Sequence, residues 1–318
     1  MVDRRKIVVV GTGMVGMSFA YSLVNQGGIN ELVLIDIQKE RAEGEAMDLA
    51  HGMSCAPNRI NIKSGDYSEC KNADIVVITA GANQKPGQTR LELATINAKI
   101  MKDVTQNVVE SGFSGIFIVA SNPVDIMTYV VSKVSGFPKR KVIGSGTVLD
   151  TSRLRYMLGE YLGVTSKNVH AYIMGEHGDS SFVPWTHCYI GCKRIQEILE
   201  DRHTDMNILE DIHKDVQQAA YEIIERKNAT YYAIGIALTK LVKTILNDEN
   251  EILTISTMLE GEYNHSGLFI GVPAIINNHG TREILELKLS KEEQEKFDES
   301  WRVLEDTIKK NIDPILNE

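Results

Sequence analysis

The sequence predicts an α/β fold in which a doubly wound parallel sheet forms the first half of the chain and an α+β domain follows. Short β-branched runs alternate with helical patterns up to about residue 145, which indicates a parallel sheet with helices on both faces. From about Thr147 this alternation gives way to long helical patterns. No repeat or long linker separates the two parts. We therefore expect two tightly packed domains, residues 1–145 and 146–318.

The elements of this prediction follow one another along the chain. Five apolar runs are assigned to strands of the parallel sheet: Lys6 to Val10, Glu31 to Ile35, Asp74 to Thr79, Gly115 to Ala120 and Lys141 to Ile143. In the second half, strand-like segments separate the first of three helical segments from the other two: Thr147 to Leu162, Met206 to Lys227 and Tyr232 to Leu246. A capping-box pattern at Ser290 opens a last amphipathic helix that runs to Asn311.

Composition limits the classes of function. The chain has 318 residues, 43% of them hydrophobic, and a formal net charge of −9. No run of Lys and Arg is dense enough to bind a nucleic-acid backbone, so we expect no nucleic-acid partner. The apolar run from Ile7 to Val10 is too short for a signal peptide or a membrane span. This favours a cytoplasmic protein without membrane contact.

Cysteine usage indicates reduced thiols and no metal. Cys55, Cys70, Cys188 and Cys192 are scattered through a chain of intracellular type, which argues against disulfides. His187 stands close to two of them, but this spacing lacks the second ligand pair of a zinc site. We therefore predict that the four cysteines are packing residues and that no metal is bound.

A glycine-rich motif, "GTGMVG", follows the first predicted strand and opens an apolar helix. Gly11, Gly13 and Gly16 permit a tight turn and a close approach of the backbone, so a pyrophosphate can bind at the helix N-terminus. The alternative is a tight turn with no ligand. The strand before, the helix after, and Asp36 twenty residues beyond Gly16 together predict a Rossmann dinucleotide-binding domain.

Asp36 stands at the end of the second predicted strand. Its carboxylate can accept hydrogen bonds from the adenosine ribose, and its charge repels the extra phosphate of NADP, so the predicted cofactor is NAD. Arg41 lies five residues further on and can offset part of that repulsion. The alternative for Arg41 is an ordinary exposed helix arginine.

A second constellation combines His177 with Asp150 and Arg153. His177 lies between glycines in "GEHGDS", and a histidine titrates near neutral pH, where it can donate and accept protons. Asp150 and Arg153 share one face of the predicted helix in "DTSRLR". The carboxylate can orient the imidazole, and the arginine can hold a substrate carboxylate through two parallel hydrogen bonds. The alternative is an Asp–Arg pair bonded only to each other.

These motifs occur together in a known family. "GTGMVG", Asp36, "GANQKPGQTR", "SNPVD", "DTSRLR", "GEHGDS" and "NATYYAIG" have the order and spacing seen in the lactate/malate dehydrogenase family. The chain resembles this family over essentially its whole length, and within it the bacterial L-lactate dehydrogenases. The resemblance implies NAD-dependent interconversion of pyruvate and L-lactate, the end step of fermentative glycolysis, in a homotetramer.

The resemblance also assigns roles around the substrate. It implies that His177 is the acid/base, that Asp150 orients it, and that Arg153 anchors the substrate carboxylate. Asn122 in "SNPVD" resembles the asparagine that binds the substrate and helps to hold the nicotinamide region. Its alternative is a turn-capping asparagine before Pro123.

The polar loop "ANQKPGQTR" contributes to substrate recognition in this reading. The resemblance implies that Arg90 polarises the substrate carbonyl and that Gln84, where malate enzymes commonly carry arginine, selects an uncharged substrate tail. The alternative is that Lys85 and Arg90 are solvated loop cations. Thr230 in "NATYY" is expected to crowd the pocket around a methyl group.

Further contacts are implied by the same resemblance. Besides the glycine-rich motif and Asp36, the expected NAD contacts are Met14, Val15, Arg41, Tyr67, Gly81, Ala82, Ser121, Asn122, Ser145 and Ile234. Arg155 and His170 match positions that bind fructose 1,6-bisphosphate across a subunit interface in many bacterial lactate dehydrogenases. The alternative is an ordinary helix cation at Arg155 and a strand-end residue at His170.

Two other functions stay open at this point. A malate dehydrogenase is disfavoured by Gln84. A catalytically silent NAD-binding protein of the same fold is disfavoured because His177, Asp150, Arg153 and Arg90 are all present.

Overall fold

The computed structural model describes residues 5–82 and 90–317 of the chain. The strands are β1 (Lys6–Val10), β2 (Glu31–Ile35), β3 (Asn61–Ser64), β4 (Ile75–Ile78), β5 (Ile116–Val119), β6 (Val142–Gly144), β7 (Val169–His170), β8 (Tyr189–Ile190), β9 (Lys193–Arg194), β10 (Glu251–Glu260), β11 (Ser266–Asn277) and β12 (Gly280–Ile284). The helices are α1 (Met14–Gln26), α2 (Lys39–His51), α3 (Arg90–Glu110), α4 (Val124–Ser135), α5 (Val148–Leu162), α6 (Ile195–Asp201), α7 (Asn207–Lys227), α8 (Tyr232–Leu246), α9 (Lys291–Thr307) and α10 (Asp313–Leu316).

The main sheet has the topology predicted from the sequence. Among the described residues, nine strands form one sheet in the order β12-β11-β10-β6-β5-β4-β1-β2-β3. Strands β1 to β6 are parallel and follow the 3-2-1-4-5-6 order of doubly wound dinucleotide-binding folds. This order reverses between β1 and β4, so the carboxyl ends of these two strands form a crevice at which ligands bind in such folds. The predicted fold class is confirmed.

The predicted strands agree with the structure to within one residue, but β3 was missed. Its sequence, NIKS, has one apolar residue and lies at the edge of the sheet, where it is partly exposed. An edge strand this short and this polar carries no alternating apolar signal. Hydrogen bonding to β2 holds it in the sheet.

Strands from the second half of the chain extend the same sheet. β10 pairs antiparallel with β6 through Ser256 and Gly144, and β11 and β12 continue outward from β10 as antiparallel neighbours. The sheet is therefore continuous across the predicted domain boundary. That boundary, between residues 145 and 146, stays a prediction.

Alternate side chains of the parallel strands pack into two apolar layers. On β1, Ile7 and Val9 join the layer that contains α1 and α8 residues, whereas Val8 and Val10 join the layer of α3, α4 and α9. Both faces are thus buried, as an apolar, β-branched strand requires. A third apolar cluster packs α5 and α7 around β7. It supports the helix that carries Asp150.

The C-terminal helix begins as predicted. Ser290 and Glu293 form the predicted capping box at the start of α9. The helix ends at Thr307 and continues as a π-helical turn over residues 308–312. Over the part of the chain that the structure covers, no helix is long and apolar enough to cross a membrane.

The cysteine prediction was half wrong. All four cysteines are free, and Cys70 and Cys188 are buried packing residues. Cys55 and Cys192 are exposed instead, because they lie in turns outside the apolar layers. No cluster of three potential metal ligands occurs within residues 5–82 and 90–317.

Candidate active site

The glycine-rich loop joins β1 to α1 at the carboxyl edge of the parallel sheet. Gly11 has a φ of +105°, a conformation that favours glycine. A Cβ at Gly16 would lie 2.0 Å from the Gly11 carbonyl oxygen, so only glycine permits this close approach of helix and loop. A Cβ at Gly13 would meet no other described atom within 4 Å. Gly13 therefore borders open space over the loop, which fits a bound dinucleotide.

The first turn of α1 can bind an anion. It begins at Met14 directly after the loop, and no described side chain caps it. The amide N–H groups of this turn and the helix dipole both favour negative charge. The pyrophosphate of NAD has the charge that this position requires.

Asp36 follows β2, and its carboxylate faces the glycine-rich loop. Its Oδ2 accepts hydrogen bonds from the N–H of Thr12 at 2.7 Å and the hydroxyl of Thr12 at 2.9 Å, and its Oδ1 accepts from the N–H of Gln38 at 2.9 Å. Burial alone would raise the pKa of Asp36, but these hydrogen bonds and the charge of Arg41 hold it below its ordinary value. Asp36 is therefore an ionised acceptor next to the loop.

Arg41 lies on α2 and is half exposed. Its Nε is 3.8 Å from Glu45 Oε1, one helical turn further on. This pair is weak at such exposure. The charge of Arg41 acts on Asp36, and this effect links Arg41 to the predicted cofactor site.

A buried asparagine on α3 joins two loops at the same edge of the sheet. Asn97 Oδ1 accepts a hydrogen bond from the N–H of Ala82 at 2.8 Å, and its Nδ2 donates to the carbonyl of Asn122 at 2.8 Å. The hydroxyl of Ser121 donates to the carbonyl of Ala80 at 2.6 Å. The predicted cofactor residues after β4 and after β5 are thereby held side by side. The Asn122 side chain itself is exposed.

The predicted acid/base, its carboxylate and the predicted anchor are in direct contact. His177 Nδ1 lies 2.6 Å from Asp150 Oδ2, and Arg153 Nη1 donates to Asp150 Oδ1 at 3.0 Å. The sequence left open whether Asp150 would pair with His177 or only with Arg153. Asp150 does both, with one carboxylate oxygen for each partner. The His177 side chain is 28% exposed, twice the value for Asp150.

Charge fixes the protonation of this group. The negative charge of Asp150 raises the pKa of His177 to about 9, against the opposing effect of burial. Burial would raise the pKa of Asp150, but the charges of His177 and Arg153 together lower it below its ordinary value. At neutral pH the pair is therefore an imidazolium and a carboxylate. Because Nδ1 bonds to Asp150, Nε2 is the ring nitrogen that can serve a substrate.

The main chain of the loop that carries His177 is held from two sides. Gly175 and Gly271 of β11 exchange N–H and carbonyl hydrogen bonds at 2.9 and 3.0 Å. The N–H of His177 donates to Asp125 Oδ2 at 2.8 Å. Asp125 lies in the first turn of α4, three residues after Asn122, so this bond brings the Asn122 loop next to the His177 loop.

Asp125 is a fully buried carboxyl group with one unsatisfied oxygen. Its Oδ1 forms no hydrogen bond to a described residue, although the buried hydroxyl of Ser256 lies close enough to act on it electrostatically. Burial raises the pKa of Asp125 to about 6, and Ser256 and the N–H of His177 offset only part of that effect. Asp125 in turn helps to raise the pKa of His177.

Sequence reasoning missed Asn97 and Asp125. A usable signal was present for both, because each is a polar residue within an apolar helical stripe. Asn97 lies between Ala94 and Met101 on the buried face of α3, and Asp125 is followed by seven buried residues of α4. A buried polar group in such a stripe needs a partner elsewhere in the fold.

Three residues of the polar loop named in the sequence analysis lie at or beyond the edge of the described chain. Gln84 and Lys85 fall outside the described residues. Arg90 is the first residue of α3, but its side chain is also outside the description. Their roles stay predictions.

The other predicted residues lie on several elements of the fold. Met14 is exposed on α1. Val15 and Ile234 are partly buried against the apolar layer of α1 and α8. Ser145 is buried directly after β6. Thr230 is half-buried just before α8. A Cβ at Gly81 would lie 3.4 Å from Asn97 Oδ1. Burial raises the pKa of Tyr67 to about 12, so its hydroxyl stays protonated. Their individual contacts with NAD stay predictions.

Arg155 and His170 are near each other on the far side of α5. Arg155 Nε donates to the carbonyl of Ala171 at 3.0 Å, next to the exposed His170 on β7. The Arg155 guanidinium also lies 5.2 Å from the centre of the Tyr172 ring.

This arrangement suits one type of reaction. His177 can give a proton to an oxygen, and Arg153 offers a guanidinium with five N–H donors to an adjacent carboxylate. The glycine-rich loop, α1 and Asp36 can hold a nicotinamide dinucleotide at the crevice of the same sheet. Together these groups can reduce a carbonyl that neighbours a carboxylate.

Comparison with known proteins agrees with this geometry. Residues 5–144 match the family model for the lactate/malate dehydrogenase NAD binding domain. Residues 147–314 match the model for the lactate/malate dehydrogenase alpha/beta C-terminal domain. NAD is therefore the cofactor of this chain.

Relatives and solved structures match over almost the whole chain. L-lactate dehydrogenase 2 of Bacillus anthracis and L-lactate dehydrogenase 1 of Bacillus cereus are each 52% identical over 304 residues, which is 95% of this chain and 97% of either relative. The crystal structure of a lactate dehydrogenase from a Medee basin deep-sea metagenome library has 50% identity and a TM-score of 0.94, covering 96% of this chain and 98% of that one. The ligand-bound minor L-lactate dehydrogenase of Enterococcus mundtii has 48% identity, the same coverage and a TM-score of 0.94. The chain therefore belongs to the lactate/malate dehydrogenase family.

Proposed function

We propose that this enzyme interconverts pyruvate and L-lactate with NAD, and that His177 is its acid/base group. The observation that carries the proposal is the shared carboxylate of Asp150, which bonds His177 through one oxygen and Arg153 through the other. A proton donor and a carboxylate-binding group next to each other match a 2-oxo acid, whose carbonyl and carboxylate are adjacent. Relatives that are named L-lactate dehydrogenase support the same substrate.

The protein groups divide the chemistry among them. Bound NADH supplies the hydride, and the rest of the work is done by side chains. The His177 imidazolium donates its Nε2 proton to the carbonyl oxygen of pyruvate, and in the reverse direction neutral His177 accepts the hydroxyl proton of lactate. Asp150 keeps the ring oriented and stabilises its charge.

Arg153 and the loop residues fix the substrate. Arg153 holds the carboxylate of pyruvate through two parallel hydrogen bonds, which orients the carbonyl toward His177. We assign polarisation of the carbonyl to Arg90 and a further hydrogen bond to Asn122. Gln84 and Thr230 complete the choice of a substrate with a short, uncharged tail. In this role the enzyme regenerates NAD at the end of fermentative glycolysis.

One assay with two substrates tests the proposal. NADH oxidation is followed with pyruvate and, separately, with oxaloacetate, and the two kcat/KM values are compared. We expect a preference for pyruvate of about a hundredfold or more, since an unpaired buried carboxylate costs a few kcal/mol. A preference for oxaloacetate would identify a malate dehydrogenase instead. A silent NAD-binding protein would bind NADH without oxidising it.

The role of His177 has its own test. His177→Asn should keep NADH binding and lose about two to four orders of magnitude in kcat, because the general acid is removed. Chirality is checked in the reverse direction, where NAD reduction should occur with L-lactate and not with D-lactate.

We also propose that fructose 1,6-bisphosphate activates the enzyme in a homotetramer. Arg155 and His170 support this proposal, because the hydrogen bond from Arg155 to the carbonyl of Ala171 keeps the Arg155 guanidinium next to the strand that carries the exposed His170. When a twofold axis brings two such pairs together they repel, and a bisphosphate relieves that repulsion.

Titration of fructose 1,6-bisphosphate tests this second proposal. The half-saturating pyruvate concentration should fall as the bisphosphate is added, and light scattering should detect a mass of four chains. In Arg155→Gln the bisphosphate should have no effect. An unchanged pyruvate dependence in the unmodified enzyme would refute activation.

A further inference from the structure

The loop that carries His177 is tied to the C-terminal helix α9 by a group of three polar residues. The N–H of Glu176 donates to Ser300 Oγ at 2.7 Å, the Ser180 hydroxyl donates to Glu176 Oε2 at 2.6 Å, and the two serine hydroxyls are 3.0 Å apart. Glu176 immediately precedes His177, whereas Ser300 is 124 residues away from Glu176. We refer to Glu176, Ser180 and Ser300 as the Ser300 ring.

Proton counting shows that the ring is closed. A serine hydroxyl has one proton to donate. Because the Ser180 proton goes to the Glu176 carboxylate, the contact between the two serines must use the proton of Ser300. Ser300 Oγ then accepts from Glu176 and donates to Ser180, so each member of the ring both donates and accepts once.

Packing leaves the ring little room to move. Ser300 is fully buried on α9. Gly175 has a φ of +99°, and a Cβ at that position would lie 2.6 Å from Ser300 Oγ. The same Gly175 is bonded on its other side to Gly271. The two residues before His177 are therefore fixed between β11 and α9.

The ring also determines where the Glu176 carboxylate lies. It turns back over Gly178, where a Cβ would meet the carboxylate carbon at 2.9 Å, and toward Ser180. Three other charged groups act on His177: Asp150 and Arg153 from α5 and Asp125 from α4. Because the Ser180 hydroxyl binds the Glu176 carboxylate, Asp150 is the carboxylate that bonds the His177 imidazole.

We propose that Ser300 is a positioning residue for the reaction, which acts through Ser180 and Glu176 to hold His177 at the hydrogen-bonding distance from Asp150. This inference rests on the proposed acid/base role of His177. It assigns to the C-terminal helix a part in proton transfer.

Two variants of the full-length enzyme test the proposal. Ser300→Ala removes the acceptor of the Glu176 N–H and the donor to Ser180, and Ser180→Ala opens the ring at its more accessible member. We expect Ser300→Ala to lower kcat for pyruvate reduction about tenfold, because the buried N–H of Glu176 loses its acceptor. KM for NADH should stay within about twofold of the original value. Ser180→Ala should cause a smaller loss of kcat, and this variant tests the proposal if Ser300→Ala does not fold.

The pH profile separates positioning from mere stability. With the ring open, the bond to Asp150 weakens, and the pKa seen in kcat/KM for pyruvate should fall toward the ordinary histidine value. Thr105→Val is the matched control. It also removes a fully buried hydroxyl, but that hydroxyl bonds within α3 to the carbonyl of Met101. We expect Thr105→Val to lower Tm and leave both the pH profile and kcat unchanged.

The outcomes distinguish this proposal from the one on which it rests. If His177→Asn is inactive but both serine variants keep the original kcat and pH profile, the Ser300 ring has no positioning role and the proposed function stands. If His177→Asn retains activity, the acid/base assignment is wrong, and the positioning role is refuted with it. A loss of kcat with a shifted pH profile in both serine variants, absent in Thr105→Val, supports the proposal.

Discussion

Asp150 on α5 and His177 are 27 residues apart in the chain. A hydrogen bond of 2.6 Å joins Asp150 Oδ2 to His177 Nδ1. This bond occupies Nδ1 and leaves Nε2 as the ring nitrogen that can serve a substrate, and the charge of Asp150 raises the pKa of His177 to about 9. The second oxygen of Asp150 binds Arg153. One carboxylate therefore holds both the proposed proton donor and the proposed substrate anchor.

Asp150→Asn should remove the carboxylate that stabilises the His177 imidazolium and orients its ring. An amide cannot stabilise the imidazolium, and its NH₂ group can present a donor to Nδ1, which favours the wrong tautomer. We expect kcat for pyruvate reduction to fall roughly 10²- to 10⁴-fold with only a small change in KM for NADH. Steady-state kinetics with NADH as the varied ligand provides the measurement. Asp211→Asn, an exposed change on α7, is the control, and equal activity of the two variants would contradict the role of Asp150.

The two directions of the reaction should respond to pH in opposite ways. The charge of Asp150 raises the pKa of His177 to about 9, so His177 is protonated over the neutral range. kcat/KM for pyruvate should stay level through neutral pH and decline as pH rises toward 9, while kcat/KM for lactate should increase over the same range. A decline in pyruvate reduction already centred at or below pH 6.5 would contradict the raised pKa.

The same pair gives a pH-dependent contribution to stability. A histidine whose pKa is raised on folding contributes its full stabilisation below its ordinary pKa of 6.5, and this contribution is lost as pH rises through about 9. Thermal unfolding from pH 6 to pH 9.5 should therefore show a loss of Tm that is absent in Asp150→Asn. A parallel loss in both proteins would assign the effect to other groups.

Arg153→Lys tests the geometry of the substrate anchor. Lysine keeps the charge but not the planar pair of donors that grips a carboxylate. We expect kcat/KM for pyruvate to fall by about two orders of magnitude, most of it through KM, while the affinity for NADH is retained. Lys214→Arg, the reverse exchange at an exposed residue of α7, should have no effect. An unchanged KM for pyruvate would mean that Arg153 serves only as a partner of Asp150.

The sequence predicted most of the fold and the polar centre of the site for identifiable reasons. The β-branched runs of β1, β2, β4, β5 and β6 carry a strong apolar signal because both faces of the sheet are buried. Gly11 and Gly16 are at positions where the backbone geometry admits few other residues, and the Asp36 carboxylate accepts hydrogen bonds from Thr12 in the same loop. Asp150 and His177 stood out because their chemistry is complementary.

Other features depend on the three-dimensional arrangement, and the local sequence does not identify their partners. β3 is an edge strand held by β2, and the pairing of β10 with β6 joins residues that are 112 positions apart. Asn97, Asp125 and Ser300 act on the main chain of distant loops, so their partners are visible only once the chain has folded. A buried polar residue in an apolar stripe indicates that a partner exists but does not identify it.

Asp125→Asn should stabilise the enzyme while changing its pH profile. The pKa of Asp125 is raised to about 6 in the folded state from an ordinary 3.8, so its ionised form destabilises the fold as pH rises through 4 to 6 and above. Asparagine can still accept the N–H of His177, and its NH₂ can donate to the unsatisfied hydroxyl of Ser256. At pH 8 we expect a gain in the free energy of unfolding on the order of 2 kcal/mol.

The stabilisation should come at a functional cost. Asp125 helps to raise the pKa of His177, so the decline in pyruvate reduction should shift to lower pH in Asp125→Asn. Denaturant unfolding at pH 5 and pH 8 measures the first effect, and kcat/KM profiles measure the second. Asp125→Leu, which removes the acceptor altogether, should be destabilised at both pH values. A gain in stability for Asp125→Asn that is the same at pH 5 and pH 8 would show that burial of the charge is not its cause.

Gln84→Arg should change the choice of substrate rather than the chemistry. Oxaloacetate differs from pyruvate by a second carboxylate, and a neutral Gln84 leaves that group without a cation when it is desolvated. An arginine supplies the missing partner, so kcat/KM for oxaloacetate should rise and that for pyruvate should fall, with a combined change in the ratio of about a hundredfold or more. Arg90→Gln provides the contrast, because it should lower kcat for both substrates far more than it changes the affinity for NADH. If Gln84→Arg leaves the ratio of the two substrates unchanged, selectivity must come from Thr230 or another part of the pocket.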